Sequence, residues 1–83
     1  MSGTTIKLLY FAQVAELLQQ RQEQWPLEGT VTGTELLNML EQKYPQIAPV
    51  SRLQIAINQY HASPGDTIKP GDEVAVFEPV TGG

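Results

Sequence analysis

The segment EVAVFE at residues 73–78 constrains the fold most, because it alternates as a strand does and yet is apolar on both faces. Two valines lie on one face of this predicted strand, and Ala75 and Phe77 lie on the other. Such a strand is typical of the interior of a sheet, or of a sheet face that contacts a partner. The other strongly hydrophobic strand is TTIKLLY, residues 4–10. We expect these two strands to lie side by side at the centre of one sheet.

Two segments with helical spacing lie between these strands. In residues 12–21 apolar side chains recur every three or four positions, which predicts a short amphipathic helix. The clearer helix covers residues 30–44, where Thr32 and Glu35 have the T-x-x-E spacing of a capping box. Thr32 is therefore the predicted N-cap. Pro45 ends this helix, because proline disfavours helical backbone in the residue before it.

The remaining segments predict a mixed sheet with the helices on one face. Residues 22–28 are predicted to form an edge strand, since Pro26 has no N–H to donate to a neighbour. Residues 53–58 alternate as a central strand, and the dipeptide Asn-Gln that begins at residue 58 is a predicted turn. Two Pro-Gly-Asp triplets, beginning at residues 64 and 70, predict type II turns, with a short bridging segment at residues 67–68.

Composition excludes several classes of function. At 83 residues the chain is expected to form a single domain, residues 1–83. It has no cysteine and one histidine, so a disulfide, a thiolate nucleophile and a cluster of histidine ligands for a metal are all excluded. A formal net charge of −4 and scattered basic residues argue against binding to nucleic acid. No apolar run is long enough to span a membrane, and the N-terminus lacks the features of a secretory signal. We therefore expect a cytoplasmic protein that binds no metal, no nucleic acid and no membrane.

The C-terminus offers chemistry that the side chains lack. The chain ends in two glycines, which carry no Cβ and leave the terminal carboxylate unobstructed. Such an end can enter a narrow channel and present its carboxylate to the active site of another enzyme. The predicted tail, residues 79–83, which we expect to be extended and flexible, comprises Pro79, Val80, Thr81, Gly82 and Gly83.

Three other side chains are candidates for contact with a partner. Phe77 and Phe11 are each either core residues or aromatic anchors beside the tail, because aromatic side chains are favoured in interfaces. His61 is expected in a turn or on the surface, where it could face the partner, and no serine and aspartate complete a catalytic triad with it. The glycine-rich segment at residues 29–33 lacks the Lys-Ser/Thr of a P-loop, so nucleotide binding by this chain is not expected.

Three segments, in order and at matching spacing, resemble the family of molybdopterin synthase small subunits. They are LLYFAQVAEL at residues 8–17, AINQ at residues 56–59 and PGDEVAVFEPVTGG at residues 70–83. The third is the most specific, and the resemblance covers nearly the whole chain. The family often has a second aromatic residue where Val76 stands and a second proline where Glu78 stands, and sometimes a basic residue at Ala15. Glu78 could therefore favour a basic patch on the partner.

The resemblance implies an α+β fold, the ubiquitin-like β-grasp, in which a mixed sheet packs against two helices. It also implies that the chain is a sulfur carrier and is not catalytic on its own. An E1-like activating enzyme would use ATP to adenylate the carboxylate of Gly83, and a sulfur donor system would convert it to a thiocarboxylate. The large subunit of molybdopterin synthase would receive the tail and pass the sulfur to cyclic pyranopterin monophosphate, forming the dithiolene of molybdopterin. The implied assembly is a heterotetramer of two large and two small subunits, with no cofactor bound by this chain.

Three alternative functions are consistent with the same sequence features. One is a sulfur carrier for another pathway, such as the synthesis of the thiamine thiazole or of a tungsten cofactor. Another is a ubiquitin-like modifier that is joined to lysine side chains. The last is an interaction domain whose Gly-Gly end is incidental, because one fold can serve many functions.

Overall fold

A computed structural model of the protein describes residues 4–79. The first and last strands of this region lie side by side, as predicted, and the structure shows that they pair in parallel. The elements follow one another in the order β1 (Thr5–Tyr10), α1 (Ala12–Leu18), β2 (Gln22–Pro26), β3 (Val31–Thr32), α2 (Gly33–Lys43), two 3₁₀ turns (Pro45–Ile47 and Val50–Arg52), β4 (Gln54–Ile57), β5 (Tyr60–His61), β6 (Thr67–Ile68) and β7 (Glu73–Phe77).

Five of the strands form one mixed sheet in the order β2-β1-β7-β4-β5. The two apolar strands, β1 and β7, are next to each other, and every other neighbouring pair in this sheet is antiparallel. The proline-containing strand β2 is at one edge, and β4 is inside the sheet, as the sequence predicts. Strands β3 and β6 form a separate two-stranded sheet.

Both helices pack against one face of the large sheet. Alternation along β1 and β7 directs one set of side chains to this face, where they meet the apolar stripes of the helices. The buried core residues include Ile6, Leu8 and Tyr10 of β1, Val14 and Leu18 of α1, Leu36 and Leu40 of α2, Ile55 of β4, and Val74 and Val76 of β7. The predicted α+β fold of β-grasp type, a mixed sheet against two helices, is confirmed.

Local interactions explain where the helices begin and end. The capping box of α2 is present: the Glu35 N–H donates to Thr32 Oγ1 at 3.1 Å, and the Thr32 N–H donates to Glu35 Oε1 at 2.9 Å. The prediction that α1 continues to residue 21 is wrong, because this helix ends at Leu18 and Gln19 adopts a left-handed conformation with φ 58°. Beyond that point the chain joins the sheet, since the Tyr10 N–H donates to the Arg21 carbonyl at 2.9 Å.

Short strands were the features that the sequence prediction missed. The bridging segment at residues 67–68 is β6, which pairs with β3, a strand that lies inside the predicted helix of residues 30–44. Strand β5 follows the predicted turn and places His61 opposite Ala56 of β4. Two-residue strands carry no periodicity, so only their pairing partners define them.

The two Pro-Gly-Asp triplets form different turns. In the second triplet Gly71 has φ 95° and the Asp72 N–H donates to the Lys69 carbonyl at 3.1 Å, which agrees with the predicted type II turn. In the first triplet the Asp66 N–H donates to the Ser63 carbonyl at 2.9 Å, but Gly65 is outside the left-handed region. The type II prediction is therefore wrong for the first triplet.

The hairpin turn between β4 and β5 leads to a stability prediction. Asn58 and Gln59 have φ values of 52° and 75°, and the flanking residues pair directly, so the two form a type I′ turn. Glycine is preferred at the second of these positions, because a left-handed residue with a Cβ is strained. We expect Gln59→Gly to raise the free energy of unfolding by about 0.5–1 kcal/mol, measured by urea denaturation.

A matched control for this change is Gln24→Gly in β2, where the backbone does not have a positive φ. Glycine in a strand interior is destabilising, so this variant is expected to unfold at a lower urea concentration. Destabilisation by Gln59→Gly as well would contradict the turn assignment.

Candidate functional site

The tail end of β7 is the candidate functional site. Strand β7 ends at Phe77, opposite Gln54 of β4, and Glu78 and Pro79 follow, both half-buried. The other predicted tail residues lie outside the described residues, and these are Val80, Thr81, Gly82 and Gly83. The structure therefore describes the base of the predicted tail and the surface around it, while the reactive carboxylate predicted at Gly83 is outside its range.

An apolar patch lies on the sheet face that points away from the helices, which also carries Lys7, Gln54 and Glu73. Its members are neighbours across β1, β7, β4 and β5, because Leu9 pairs with Ala75, Ala75 with Ala56, and Ala56 with His61. We call this surface the open-face patch. It consists of Leu9, Ala56, Ala75, Phe77 and His61.

The rings of His61 and Phe77 contact each other within the open-face patch. Their centroids are 5.7 Å apart and their planes are inclined at 81°, which is an edge-to-face arrangement. Phe77 is half-buried and His61 is exposed. The structure thus brings together two of the three residues that the sequence predicts to contact a partner, directly beside the base of the tail.

The third of these residues, Phe11, lies at the same end of the sheet. Its backbone N–H donates to the Val76 carbonyl at 3.3 Å, and its side chain is 49% exposed. The preceding Tyr10 is buried, and its hydroxyl donates to Glu23 Oε2 at 2.6 Å. Of these two adjacent aromatic residues, Phe11 is therefore the one that a partner could contact. Contact of Phe11, Phe77 and His61 with a partner remains a prediction.

Glu78 faces the opposite side of the chain from Phe77 and is paired within the protein. Its Oε2 is 3.2 Å from Nη1 of Arg52, which is the last residue of the second 3₁₀ turn. The resemblance suggested that Glu78 favours a basic patch on a partner protein. In the structure Glu78 is already paired with Arg52 of the same chain. Arg52 did not stand out in the sequence, because the two charges are far apart along the chain and no local pattern links them.

A groove lies beside this ion pair on the helix side of the sheet. Its volume is about 610 Å³. The lining includes side chains from α2, from the connection to β4 and from the base of the tail, among them Leu37, Arg52, Ile55, Glu78 and Pro79. Glu78 and Pro79, at the base of the tail, thus line this groove.

A buried carboxylate fixes the start of β7. Asp72 Oδ2 accepts the Lys69 N–H at 3.0 Å, and Oδ1 accepts the Asn58 side-chain amide at 3.0 Å. Burial alone would raise the pKa of Asp72, but these hydrogen bonds and the Lys69 ammonium 3.4 Å away outweigh it and hold the pKa below 3.8, its ordinary value. Both carboxylate oxygens of Asp72 are thus engaged in the turn that precedes β7.

Neutralising Asp72 is expected to destabilise the fold in a pH-dependent way. The variant Asp72→Asn should lower the free energy of unfolding by about 1–3 kcal/mol at neutral pH, because the N–H₂ group that replaces one carboxylate oxygen cannot accept the hydrogen bond made there. Since the folded-state pKa is depressed, the stabilisation by Asp72 is present above the unfolded-state pKa and lost as pH falls through the folded value. Urea denaturation of wild type and variant from neutral pH to about pH 3 should show the two converging in acid.

Asp66→Asn is the matched control, because Asp66 occupies the same position in the first triplet but is exposed. Its Oδ2 accepts the Ser63 N–H at 2.8 Å. A smaller loss of stability is expected there, and equal losses in the two variants would contradict the role of burial at Asp72.

Residues 4–79 contain neither a cluster of metal ligands nor a membrane-spanning helix. Within this range no group of three or more His, Cys, Asp or Glu side chains could hold a metal ion. None of the helices in the same range is both long enough and apolar enough to cross a membrane.

Relatives of known name match nearly the whole chain. The human molybdopterin synthase sulfur carrier subunit is 32% identical over 82 residues, which are 94% of this chain and 93% of the human protein. The protein of the same name from Mycobacterium tuberculosis is 37% identical over 81 residues, which are 94% of this chain and 96% of that protein.

Solved structures have the same fold. The HVO 2177 protein of Haloferax volcanii matches with a TM-score of 0.83 and 24% identity, covering 96% of this chain and 87% of that chain. Small archaeal modifier protein 1 of H. volcanii matches with a TM-score of 0.79 and 24% identity, over 94% of this chain and 100% of that chain. A chain from the complex of subunits 1 and 2 of the molybdopterin-converting factor of Helicobacter pylori matches with a TM-score of 0.62 and 16% identity, over 95% and 99%.

A sequence model of the ThiS family matches residues 8–83, a range that includes the C-terminal Gly-Gly. Together with the named relatives, this match confirms the resemblance to molybdopterin synthase small subunits that the sequence showed. The chain belongs to the ThiS family.

Proposed function

We propose that this protein is a sulfur carrier that serves as the small subunit of a molybdopterin synthase. The observation that carries the proposal is the family match through residue 83, since it includes the terminal Gly-Gly on which the chemistry depends. The names of relatives at 32% and 37% identity support the same function. The chain has no cysteine, so the C-terminal carboxyl group is its candidate for carrying reactive sulfur.

The proposed chemistry has two steps at the carboxylate of Gly83. A free carboxylate is a poor electrophile, and an activating enzyme would convert it to an acyl adenylate with ATP, releasing pyrophosphate. Hydrosulfide released by the sulfur donor then attacks the acyl carbon, the bond to AMP breaks, and AMP and a proton leave, so that a C-terminal thiocarboxylate remains. The chain supplies no catalytic side chain to these steps and binds no cofactor, because ATP is held by the activating enzyme. Both reactions are proposed to occur in the cytoplasm.

Delivery of the sulfur depends on a second protein. The large subunit would receive the tail, and the thiocarboxylate sulfur would attack cyclic pyranopterin monophosphate, displacing an oxygen substituent. Water would then cleave the bond between this sulfur and the acyl carbon of Gly83, so that the carrier leaves with a free carboxylate. A second thiocarboxylated carrier would supply the other sulfur of the dithiolene of molybdopterin. Attachment to a docked protein raises the effective concentration of the sulfur and shields it from water. The complex of subunits 1 and 2 in H. pylori supports a pairing of this kind, and we propose a heterotetramer of two large and two small subunits.

The open-face patch is the proposed contact surface for the large subunit. It lies beside the base of the tail, so a partner seated on it would be next to the entering carboxylate. Its apolar centre and aromatic pair, Phe77 and His61, have the composition of an interface core. Phe11 follows β1 at the same end of the sheet and is proposed to extend this surface.

Intact mass spectrometry tests the carrier function. The protein is incubated with an activating enzyme, ATP and a sulfur donor, and a mass gain equal to the exchange of one oxygen for sulfur is expected. Omission of ATP is the control and should leave the mass unchanged. The proposal would be contradicted if this protein gained no mass with an activating enzyme that is shown to be active on another carrier.

Further arms of this experiment distinguish the alternatives. Addition of the large subunit and the pterin precursor should consume the thiocarboxylate and produce the dithiolene. Retention of the sulfur in that mixture would favour a carrier for the thiazole or tungsten-cofactor pathway. Isopeptide conjugates of the chain with lysine side chains in cells would favour a protein modifier.

A further inference from the structure

The Arg52–Glu78 ion pair lies at the point where the tail leaves the sheet. The backbone pairing of β4 with β7 ends at Gln54 and Phe77. One residue further, Glu78 Oε2 accepts a hydrogen bond from Arg52 Nη1 at 3.2 Å. A charged side-chain contact therefore continues the connection between the two segments beyond the last backbone pair.

Arg52 is itself attached to the body of the domain. Its second terminal nitrogen, Nη2, is 3.5 Å from the carbonyl of Ile47, a fully buried residue of the first 3₁₀ turn. Its backbone N–H donates to the Pro49 carbonyl at 3.4 Å. The guanidinium group thus links Glu78 to the connection between α2 and β4.

The backbone at residues 78–79 is restricted as well. Pro79 has a fixed φ angle, and it forces the preceding Glu78 towards extended conformations. Both residues are half-buried. The direction of the chain at residues 78–79 is therefore set by the ion pair together with the proline.

We propose that Arg52 and Glu78 form a positioning pair that sets the direction in which the tail leaves the domain. This inference rests on the proposed function, because a fixed direction matters only if the tail must enter a partner seated on the open-face patch. When a tail is correctly directed for only a fraction of the time, its apparent affinity falls by that fraction. Neither side chain touches the reacting atoms, so both act through the tail.

The pair is suited to a test by substitution, since its loss should not unfold the protein. The side chains of Arg52 and Glu78 are 34% and 32% exposed. Ion pairs with such exposure contribute little to stability. An effect on sulfur transfer can then be separated from an effect on folding by recording thermal unfolding of each variant.

The experiment compares Arg52→Gln, Glu78→Gln and the charge-exchanged double variant Arg52→Glu/Glu78→Arg. Each carrier is converted to its thiocarboxylate, and kcat and KM are measured for its use by the large subunit. Each single variant is expected to raise KM about threefold to fivefold with kcat unchanged, and the double variant should recover most of the loss. Lys43→Gln is the matched control, because it removes the ion pair that a half-exposed lysine makes with Glu23 of the edge strand β2, 3.9 Å away.

Two results would overturn the inference. Unchanged KM in both single variants would show that the pair does not position the tail. Failure of the charge-exchanged variant to recover would show that each charge acts separately, for example by contacting the large subunit.

A readout that needs no sulfur chemistry keeps this test separate from that of the proposed function. The ¹⁵N–¹H heteronuclear NOE of the Glu78 amide should fall in the single variants and return in the charge-exchanged protein. An unchanged NOE in the single variants would overturn the positioning role even if sulfur transfer is confirmed. A wild-type protein that never acquires a thiocarboxylate would overturn the proposed function, while the NOE would still decide whether the pair restrains the base of the tail.

Discussion

Removal of Gly83 is expected to abolish the uptake of sulfur. The shortened chain still ends in a glycine carboxylate, but its reach falls by about 3.5 Å, the length of one extended residue. Misplacement of a reacting group by about 1 Å can cost a factor of about one hundred in rate, so a full residue should bring the reaction below detection. Intact mass spectrometry after incubation with the activating enzyme, ATP and the sulfur donor measures the loss.

Extension of the chain by one glycine beyond Gly83 is the matched variant. It keeps a glycine carboxylate and displaces it in the opposite direction, so a comparable loss is expected. Both variants should unfold at the wild-type temperature, because β7, the last strand among residues 4–79, ends at Phe77. Sulfur uptake at the wild-type rate by the shortened chain would show that the position of the carboxylate does not matter.

Replacement of Phe77 by alanine is expected to weaken binding to the large subunit by about thirtyfold or more. The side chain is half-buried in the open-face patch, where it packs against the ring of His61, and it is next to the base of the tail. Truncation removes a large apolar surface at the centre of the proposed interface, where such residues dominate the binding free energy. Isothermal titration of the large subunit with each carrier measures the change in Kd.

Tyr60→Ala is the control for this variant. Tyr60 is an aromatic residue of β5 that is 78% exposed, and alternation places it on the opposite face of the sheet from His61. The Tyr60→Ala variant should bind the large subunit with the Kd of the wild type. Equal losses from Tyr60→Ala and Phe77→Ala, or no loss from Phe77→Ala in a folded protein, would contradict the assignment of the open-face patch as the interface.

The elements that the sequence predicted well are those whose pattern is local. The apolar alternation of β1 and β7 required two neighbours for each strand, and the structure gives both strands interior positions. The capping box at Thr32 and Glu35 set the start of α2 through hydrogen bonds between residues three apart. In such cases the information lies within a few residues, so sequence spacing is sufficient.

The elements that the sequence missed depend on distant partners. The short strands β5 and β6 exist because β4 and β3 offer them backbone hydrogen bonds. Helix α1 ends before residue 21 because the following segment pairs with β1, where the Tyr10 N–H donates to the Arg21 carbonyl. The two Pro-Gly-Asp turns differ although their sequences are the same, since only Asp72 is buried against Asn58.

The candidate site divides in the same way. The sequence by itself was enough to identify the terminal glycines as the reactive end, the family and the candidate contact residues, because each of these depends only on which residues stand at which positions. Only the tertiary structure decided that Phe77 meets His61 on one side of the chain, while Glu78 meets Arg52 on the other. The physical reason is strand alternation at the end of β7: consecutive residues point to opposite faces, and what each one contacts depends on which strands and turns the fold has placed there.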